Sequence, residues 1–222
     1  MTIHVPTAMI VFFVILTVLA LTLGFAYLFM LEWNLAKRRV PQHDDLTGLY
    51  TRGTIRNHIC RRLSHVSRLQ RAELTDRSSD AFILLDLDCF KQVNDTCGHP
   101  SGDRLLSCIA EALLANTRQT DIVGRLGGDE FLLFLPGIHS EAAAQKKAED
   151  LLQSIRNATD KNTNWAGVTA SIGISLTPRH GTTFEELYCK ADAALYHAKQ
   201  CGKNQYAIYG DTTGKKGRHS QT

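Results

Sequence analysis

Hydrophobic and polar positions divide the chain into an apolar N-terminal run and a longer part in which the two kinds alternate. Residues 8–31 include no charged side chain. A helix of this length, at about 1.5 Å per residue, extends about 36 Å and can cross a hydrocarbon core of about 30 Å. We therefore predict one transmembrane helix over residues 8–31, followed by a juxtamembrane linker over residues 32–43.

A cleaved secretory signal is the alternative interpretation of the apolar run. No Lys or Arg precedes the run, which is longer than the usual hydrophobic region of a signal, and no small-x-small cleavage site follows it. Lys37, Arg38 and Arg39 come shortly after it. Because positive residues that flank a membrane helix stay on the cytoplasmic side, we expect a single-pass protein whose soluble part is cytoplasmic.

The soluble part shows the two periodicities of strands and helices. Short apolar runs and strict alternation predict strands, whereas apolar residues spaced three and four apart predict amphipathic helices. The order from residue 81 to residue 176 is β-α-β-β-α-β, with one more helix and one more strand appended. We therefore predict an α+β fold with an antiparallel, ferredoxin-like sheet. The predicted strands cover residues 81–87, 122–126, 131–135, 168–176 and 205–209, and the predicted helices cover residues 103–115, 141–156 and 184–201.

Domain limits follow from the same pattern. Residues 44–209 are not interrupted by a repeat or a long linker, and their number supports a single core. Residues 210–222 include no apolar side chain that could be buried, so we predict a disordered tail.

The composition of the chain mainly argues against certain partners and sites. The chain has 25 Lys and Arg against 22 Asp and Glu, a formal net charge of +3, which does not indicate a nucleic-acid partner. Its six cysteines include no Cys-x-x-Cys pair. In a reducing cytoplasm this pattern favours neither a zinc site nor a disulfide framework.

Carboxylates mark the candidate chemistry. Asp86 and Asp88 end the first predicted strand of the soluble part, and Asp129 and Glu130 lie at the tip of the predicted hairpin. The first strand should lie beside the hairpin, so these acids can converge, and closely spaced carboxylates favour a hard cation such as Mg²⁺. Gly127 and Gly128 would let a phosphate approach the main chain. The alternative is that these acids are solvated turn residues.

The motifs around these acids resemble one known family. They comprise residues 86–99, which read Asp-Leu-Asp-Cys-Phe-Lys-Gln-Val-Asn-Asp-Thr-Cys-Gly-His, then Gly102-Asp103, and then residues 121–131, which end in Gly-Gly-Asp-Glu-Phe. Upstream, residues 45–49 and Arg52 resemble the motif that opens the family's domain. The chain resembles the GGDEF family of diguanylate cyclases over residues 44–209. This resemblance implies a palm-type sheet. Because the family is bacterial, the predicted membrane helix would lie in the inner membrane.

The resemblance implies a role for each matching residue. Asp86, the main-chain carbonyl of Leu87 and Asp129 would hold two Mg²⁺ ions, or Mn²⁺, in each half-site, with Glu130 assisting as a partner of the metal or the hydroxyl. The residues implied in substrate binding are Lys91, the amides of Cys89 and Phe90, Lys199 and Lys203 for the phosphates, and Asn94 and Asp103 for the guanine.

The implied reaction joins two GTP molecules into cyclic di-GMP and releases two pyrophosphates. Each monomer would hold one GTP, so catalysis would need a homodimer whose half-sites face each other. Arg118 and Asp121 resemble the family's Arg-x-x-Asp product-inhibition site. The alternative there is a local pair in a solvated turn.

Three positions depart from the family pattern. Lys203 stands where the family usually has Arg, which keeps the charge but loses the bidentate fork and predicts weaker phosphate affinity. Thr51 and Leu126 replace the usual Asn and a common aromatic residue. Three alternative functions are a non-catalytic module that senses GTP or cyclic di-GMP, a structural anchor, and a cyclase that makes a mixed guanine-adenine product, which Asp103 disfavours.

Overall fold

The computed structural model describes residues 7–37, 41–71, 79–138, 140–210 and 215–216. Contacts divide the chain into two units, Met1–Pro41 and Gln42–Thr222. The first unit holds helix α1, Thr7–Lys37, in which Val11–Trp33 is long and apolar enough to cross a membrane. A signal sequence can meet the same test, so the helix alone is weak evidence for an anchor.

The second unit is a seven-stranded sheet with helices on both faces. Its strands are β1 Tyr50–Thr51, β2 Asp80–Asp88, β3 Ile122–Gly127, β4 Glu130–Leu135, β5 Thr169–Thr177, β6 Gln205–Ile208 and β7 Lys215–Lys216. Its α-helices are α2 Arg52–Arg71, α3 Phe90–Cys97, α4 His99–Ala115, α5 Glu141–Thr159 and α6 Phe184–Gln200, and a 3₁₀ turn covers Thr163–Trp165.

Strand pairing agrees with the predicted β-α-β-β-α-β order. The strands lie in the order β1-β3-β4-β2-β5-β6-β7, and β2 at the centre pairs antiparallel with both β4 and β5. The outer pairs β1–β3 and β5–β6 are parallel. Because β2 is covered on both faces, its apolar residues form a continuous run and do not alternate.

Two hydrophobic clusters cover the two faces of the sheet. One cluster joins alternate residues of β2, including Ile83 and Leu85, to α4 and α5. The other joins Phe82 and Leu84 to α2 and α6. Helix α6 begins with a capping box, in which Thr183 and Glu186 each satisfy the other's main-chain amide.

Helices α2 and α3 and strand β1 were not predicted. In α2 only Ile55, Ile59 and Leu63 are buried among the side chains described, and in α3 only Val93 is buried. Helix α3 has eight residues and β1 has two, lengths over which a periodic pattern is hard to recognise, and α2 is mostly polar. In the predicted tail, β7 pairs with β6 at Lys215–Lys216, whereas residues 211–214 and 217–222 lie outside the described residues.

Candidate active site

The acids predicted to converge lie at one end of the central strands. Asp86 is paired with Glu130 in the β2–β4 ladder, and the main-chain amide of Leu87 donates to the carbonyl oxygen of Asp129 over 3.2 Å. The hairpin tip therefore lies directly beside the end of β2. Carboxylates from two separate segments share this edge of the sheet.

The hairpin is tighter than the sequence predicts. Strands β3 and β4 extend to Gly127 and from Glu130, so only Gly128 and Asp129 form the loop. Gly127 has φ 146° and Gly128 has φ 52°, values that L side chains rarely adopt. These two glycines are required by the turn and also leave its main chain uncovered.

Arg125 fixes the tip of this hairpin. Its Nε and Nη2 donate to the carbonyl oxygen of Gly128 over 3.0 and 2.8 Å, and its Nη1 lies 3.1 Å from the Oδ2 atom of Asp44. Thr47 also donates to Asp44, from its amide over 2.9 Å and from its hydroxyl over 2.6 Å. The start of the domain thus supports the turn that carries Asp129.

This ion pair predicts a dependence of stability on pH. Burial raises the pKa of Asp44, but the hydrogen bonds from Thr47 and the Arg125 guanidinium lower that pKa by more, so it lies below 3.8. A carboxyl group with a depressed folded pKa stabilises the fold above its unfolded pKa, and that stabilisation is lost as the pH falls through the folded value.

We expect Asp44→Asn to lower the free energy of unfolding of the full chain in detergent by about 1 kcal/mol at pH 7. The difference from wild type should shrink as the pH falls from about 5 to below 3. Urea titrations of both proteins across this range measure it. A difference that stays constant with pH would rule out the ionised pair as its source.

Lys199 provides a counter-charge for Asp86. Its Nζ atom lies 2.8 Å from Asp86 Oδ1, and the Asp86 side chain is 13% exposed. Burial is the largest cause of a raised Asp86 pKa; Lys199 opposes it, and the nearby Asp129 and Glu130 add to it. An oxygen-rich site with surplus negative charge is suited to a cation.

The donor set fits a divalent metal only if the main chain contributes. No group of three His, Cys, Asp or Glu side chains that could hold a metal occurs in the part of the chain that the structure describes. The predicted set is two carboxylates, Asp86 and Asp129, with the Leu87 carbonyl. Oxygen donors of this type suit Mg²⁺ and Mn²⁺.

Asp88 is not in the predicted metal-binding set, and its contacts differ from those of Asp86. Its side chain is 3% exposed and accepts hydrogen bonds from the Thr169 and Ser171 hydroxyls, over 2.7 and 2.8 Å. The Asn204 amide donates to it over 3.1 Å. Three donors from β5 and the α6–β6 turn hold this carboxylate, so it is a structural group.

The predicted guanine-reading residues are brought together by a glycine. A Cβ atom built on Gly102 would collide with the side chain of Asn94 and lie 3.2 Å from the Phe90 ring. Gly102 therefore allows α4 to lie close against α3. Asp103, the next residue of α4, is exposed beside this contact.

The predicted phosphate-binding residues are distributed around the acids. Cys89 precedes α3 with φ 64°, and no side chain caps the N-terminus of that helix. Lys91 and Lys203 are exposed, and within the described ranges neither side chain makes a hydrogen bond or an ion pair. Of the three predicted phosphate-binding lysines, only Lys199 contacts an acid of the site.

Arg118 and Asp121 form a tight turn before β3. The Arg118 amide donates to Asp121 Oδ2 over 2.8 Å, so the local pairing expected of a solvated turn is present. Both residues also border an open cavity of about 250 Å³, together with His43 and Tyr50, whose ring centroids are 4.8 Å apart. Sequence reasoning missed these two aromatic rings, because they come from the start of the domain.

A family model described as the GGDEF domain of diguanylate cyclases matches residues 41–205. The chain belongs to the GGDEF family. Among curated GGDEF relatives it is similar to the bifunctional diguanylate cyclase/cyclic di-GMP phosphodiesterase MucR of Pseudomonas aeruginosa, with 40% identity over 167 residues. That match covers 75% of this chain and 23% of MucR, so the chain spans less than a quarter of that relative.

Solved GGDEF structures confirm the predicted fold. The GGDEF domain of TpbB (YfiN) from Pseudomonas aeruginosa is similar with a TM-score of 0.67 and 32% identity, covering 75% of this chain and 94% of that one. A microbial GGDEF domain described with bis-(3′,5′)-cyclic di-GMP has a TM-score of 0.60 and 28% identity, covering 77% and 98%.

Proposed function

We propose that this chain is a diguanylate cyclase that condenses two GTP molecules into cyclic di-GMP and releases two pyrophosphates. The observation that carries the proposal is the shared edge of β2 and the hairpin, where Asp86 faces Glu130 in the ladder and Leu87 is bonded to Asp129. A family member with both glycines and both hairpin acids keeps the groups that the reaction needs.

Each condensation step is a displacement at phosphorus. The ribose 3′-oxygen of one GTP forms a bond to the α-phosphorus of the other, the bond from that phosphorus to the bridging oxygen breaks so that pyrophosphate leaves, and the hydroxyl proton passes to water. Asp86, Asp129 and the Leu87 carbonyl would hold two divalent ions, which would polarise the hydroxyl and neutralise phosphate charge. We assign Glu130 as the partner of the attacking hydroxyl.

The remaining site residues bind and orient the substrate. Lys199 is paired with Asp86 and, when GTP binds, contacts the triphosphate in place of this carboxylate. Lys91 and Lys203 add positive charge from the surface of the domain. The Cys89 and Phe90 amides lie at an uncapped helix N-terminus, where partial positive charge favours phosphate oxygens. Asn94 and Asp103 read the guanine edge.

Two copies of the domain are needed, because each site holds one GTP and the product contains two guanosine phosphates. The α1 helix anchors both copies in the inner membrane with the catalytic domain in the cytoplasm. Anchoring rests on the exposed apolar run Val11–Trp33. It keeps the two half-sites at a high local concentration.

Product inhibition acts at the cavity beside Arg118 and Asp121. An arginine that grips phosphate, a carboxylate that accepts from guanine and neighbouring aromatic rings together suit one half of a cyclic dinucleotide. This cavity involves none of the acids at the hairpin tip. Inhibition there is therefore allosteric, through two distinct coupled sites.

Arg118→Ala tests this regulation. We expect the inhibition constant for added cyclic di-GMP to rise at least about tenfold, because a charge-assisted contact is lost. The initial rate at low product should stay the same. Inhibition curves for wild type, Arg118→Ala and the control Arg179→Ala, another exposed arginine, measure the effect; identical curves for all three would refute a regulatory role.

The cyclase proposal itself is tested by supplying GTP and Mg²⁺ to the full chain in detergent, with EDTA in a parallel sample. We expect cyclic di-GMP and pyrophosphate only without chelator, with a specific activity that rises with protein concentration. Binding of GTP without any product would instead indicate a non-catalytic sensing module.

A further inference from the structure

Asp88 is a buried carboxylate that the proposed chemistry does not use. It lies two residues after Asp86 in β2 and accepts hydrogen bonds from three protein groups. Two of its three donors are hydroxyls on β5. The third is the main-chain amide of Asn204, the residue that follows Lys203.

The turn that contains Lys203 and Asn204 adopts an unfavourable backbone conformation. Lys203 has φ 60° and Asn204 has φ 48°, so two consecutive non-glycine residues are in the left-handed region. Such residues cost free energy and persist only where surrounding contacts hold them. The turn therefore depends on its anchors.

Asn204 is anchored from two sides. Asp88 Oδ2 accepts from its amide over 3.1 Å, and Arg156 Nη1 donates to its Oδ1 atom over 2.9 Å. The Lys203 amide donates to the carbonyl oxygen of Ala198 in the last turn of α6 over 3.2 Å. The main chain at Lys203 is thus fixed, while its side chain remains exposed.

We propose that Asp88 is a positioning residue for GTP binding, which holds the Asn204 amide and thereby aims Lys203 at the triphosphate. The proposal rests on the function proposed above, because it takes Lys203 to contact phosphate. It assigns Asp88 no contact with substrate or metal. The main chain at Lys203 is the fixed point from which its four-carbon side chain extends, so a shift of the turn moves the region that the ammonium can reach.

Substitution of Asp88 by asparagine distinguishes a positioning role from a metal-binding role. In Asp88→Asn, the amide oxygen can still accept from Asn204 and Thr169, and the amide nitrogen can donate to the Ser171 hydroxyl, which can accept. We expect this variant to keep a KM for GTP within about threefold of wild type. A metal ligand would not tolerate the same exchange, so Asp86→Asn should lose activity.

Removal of the carboxylate should act on substrate binding. We expect Asp88→Ala to raise the KM for GTP about tenfold while kcat changes less than about threefold, because a binding group is displaced and the acids are untouched. The matched control is Asp80→Ala. Asp80 is also a buried carboxylate of β2, 1% exposed, but it lies at the other end of the strand and accepts from the Gly137 amide.

The proposal predicts that Asp88 acts through Lys203. The double variant Asp88→Ala/Lys203→Ala should have the KM of Lys203→Ala alone, since a misplaced lysine and a missing one are equivalent. Strictly multiplicative effects would overturn the proposal, as would equal KM values for Asp88→Ala and Asp80→Ala. If Asp88→Ala fails to fold, Arg156→Ala removes the other anchor of Asn204 and should raise KM in the same direction.

A binding measurement keeps this inference distinct from the cyclase proposal. The dissociation constant of a non-hydrolysable GTP analogue with Mg²⁺ should rise about tenfold in Asp88→Ala and stay unchanged in Asp80→Ala. Wild type that binds the analogue but makes no product would contradict the cyclase proposal alone. Unchanged binding in Asp88→Ala, with active wild type, would contradict the positioning role alone.

Discussion

Asp129→Ala is expected to lower the rate of cyclic di-GMP formation by about 10³-fold or more, because it removes one of two carboxylates that would hold the catalytic ions. The fold should survive. The contact between Leu87 and residue 129 uses the main-chain carbonyl, which alanine keeps, and the side chain lies at a two-residue hairpin tip. Asp86→Ala should lose activity to a similar degree.

Asp160→Ala is the matched control for Asp129→Ala, since it removes an exposed carboxylate from the turn that follows α5. It should form product at the wild-type rate. Product is measured by chromatography after a fixed time, and folding by circular dichroism of the same samples. A folded Asp129→Ala protein with near-normal turnover would mean that the hairpin carboxylate does not hold the ions.

Gly173→Ala is expected to destabilise the domain by about 2–3 kcal/mol, the usual scale for overpacking a core. A Cβ atom at this position of β5 would collide with the Ala191 carbonyl and the Leu195 amide and would lie 2.7 Å from Leu195 Cβ. These atoms belong mainly to the main chain of α6, so no side-chain rotation can relieve the collision. The helix must move away from the sheet.

Gly53→Ala is the same substitution, but we expect it to stabilise the domain. Gly53 is in α2, and a Cβ atom there would meet no atom within 4 Å. Alanine should stabilise the helix by about 0.5–1 kcal/mol. Thermal unfolding of both variants in detergent measures the pair. Equal melting temperatures for Gly173→Ala and wild type would show that α6 does not contact β5 as closely as described.

Sequence patterns predicted the parts of the fold that have dense apolar spacing. Strand β2, the β3–β4 hairpin, β5 and α6 each carry an unbroken run or a full helical stripe. Helix α2 places Ile55, Ile59 and Leu63 at helical spacing, but the polar residues around them make the segment as a whole weakly hydrophobic. The position of α2 depends on the strands against which it packs, and these are distant in sequence from the helix.

The parts of the site that could be predicted are those in which residues are adjacent in sequence or in neighbouring strands. Asp129 and Glu130 are neighbours in sequence, and strand order predicted that they lie beside Asp86. The different roles of Asp86 and Asp88 could not be predicted, because both occupy the same face of one strand. What separates them is the partner at each position: a lysine from α6 for Asp86, and two hydroxyls and an amide for Asp88.

The contact between Arg125 and Asp44 bears on where a stable fragment of the domain should begin. Arg125 supports the Gly128 carbonyl from one side and is itself held by Asp44, which precedes every strand of the sheet. A fragment trimmed to begin at β1 would retain the sheet and every acid of the hairpin. It would nevertheless leave Nη1 of Arg125 without its carboxylate partner, so we expect a fragment that begins before Asp44 to be more stable than one that begins at β1.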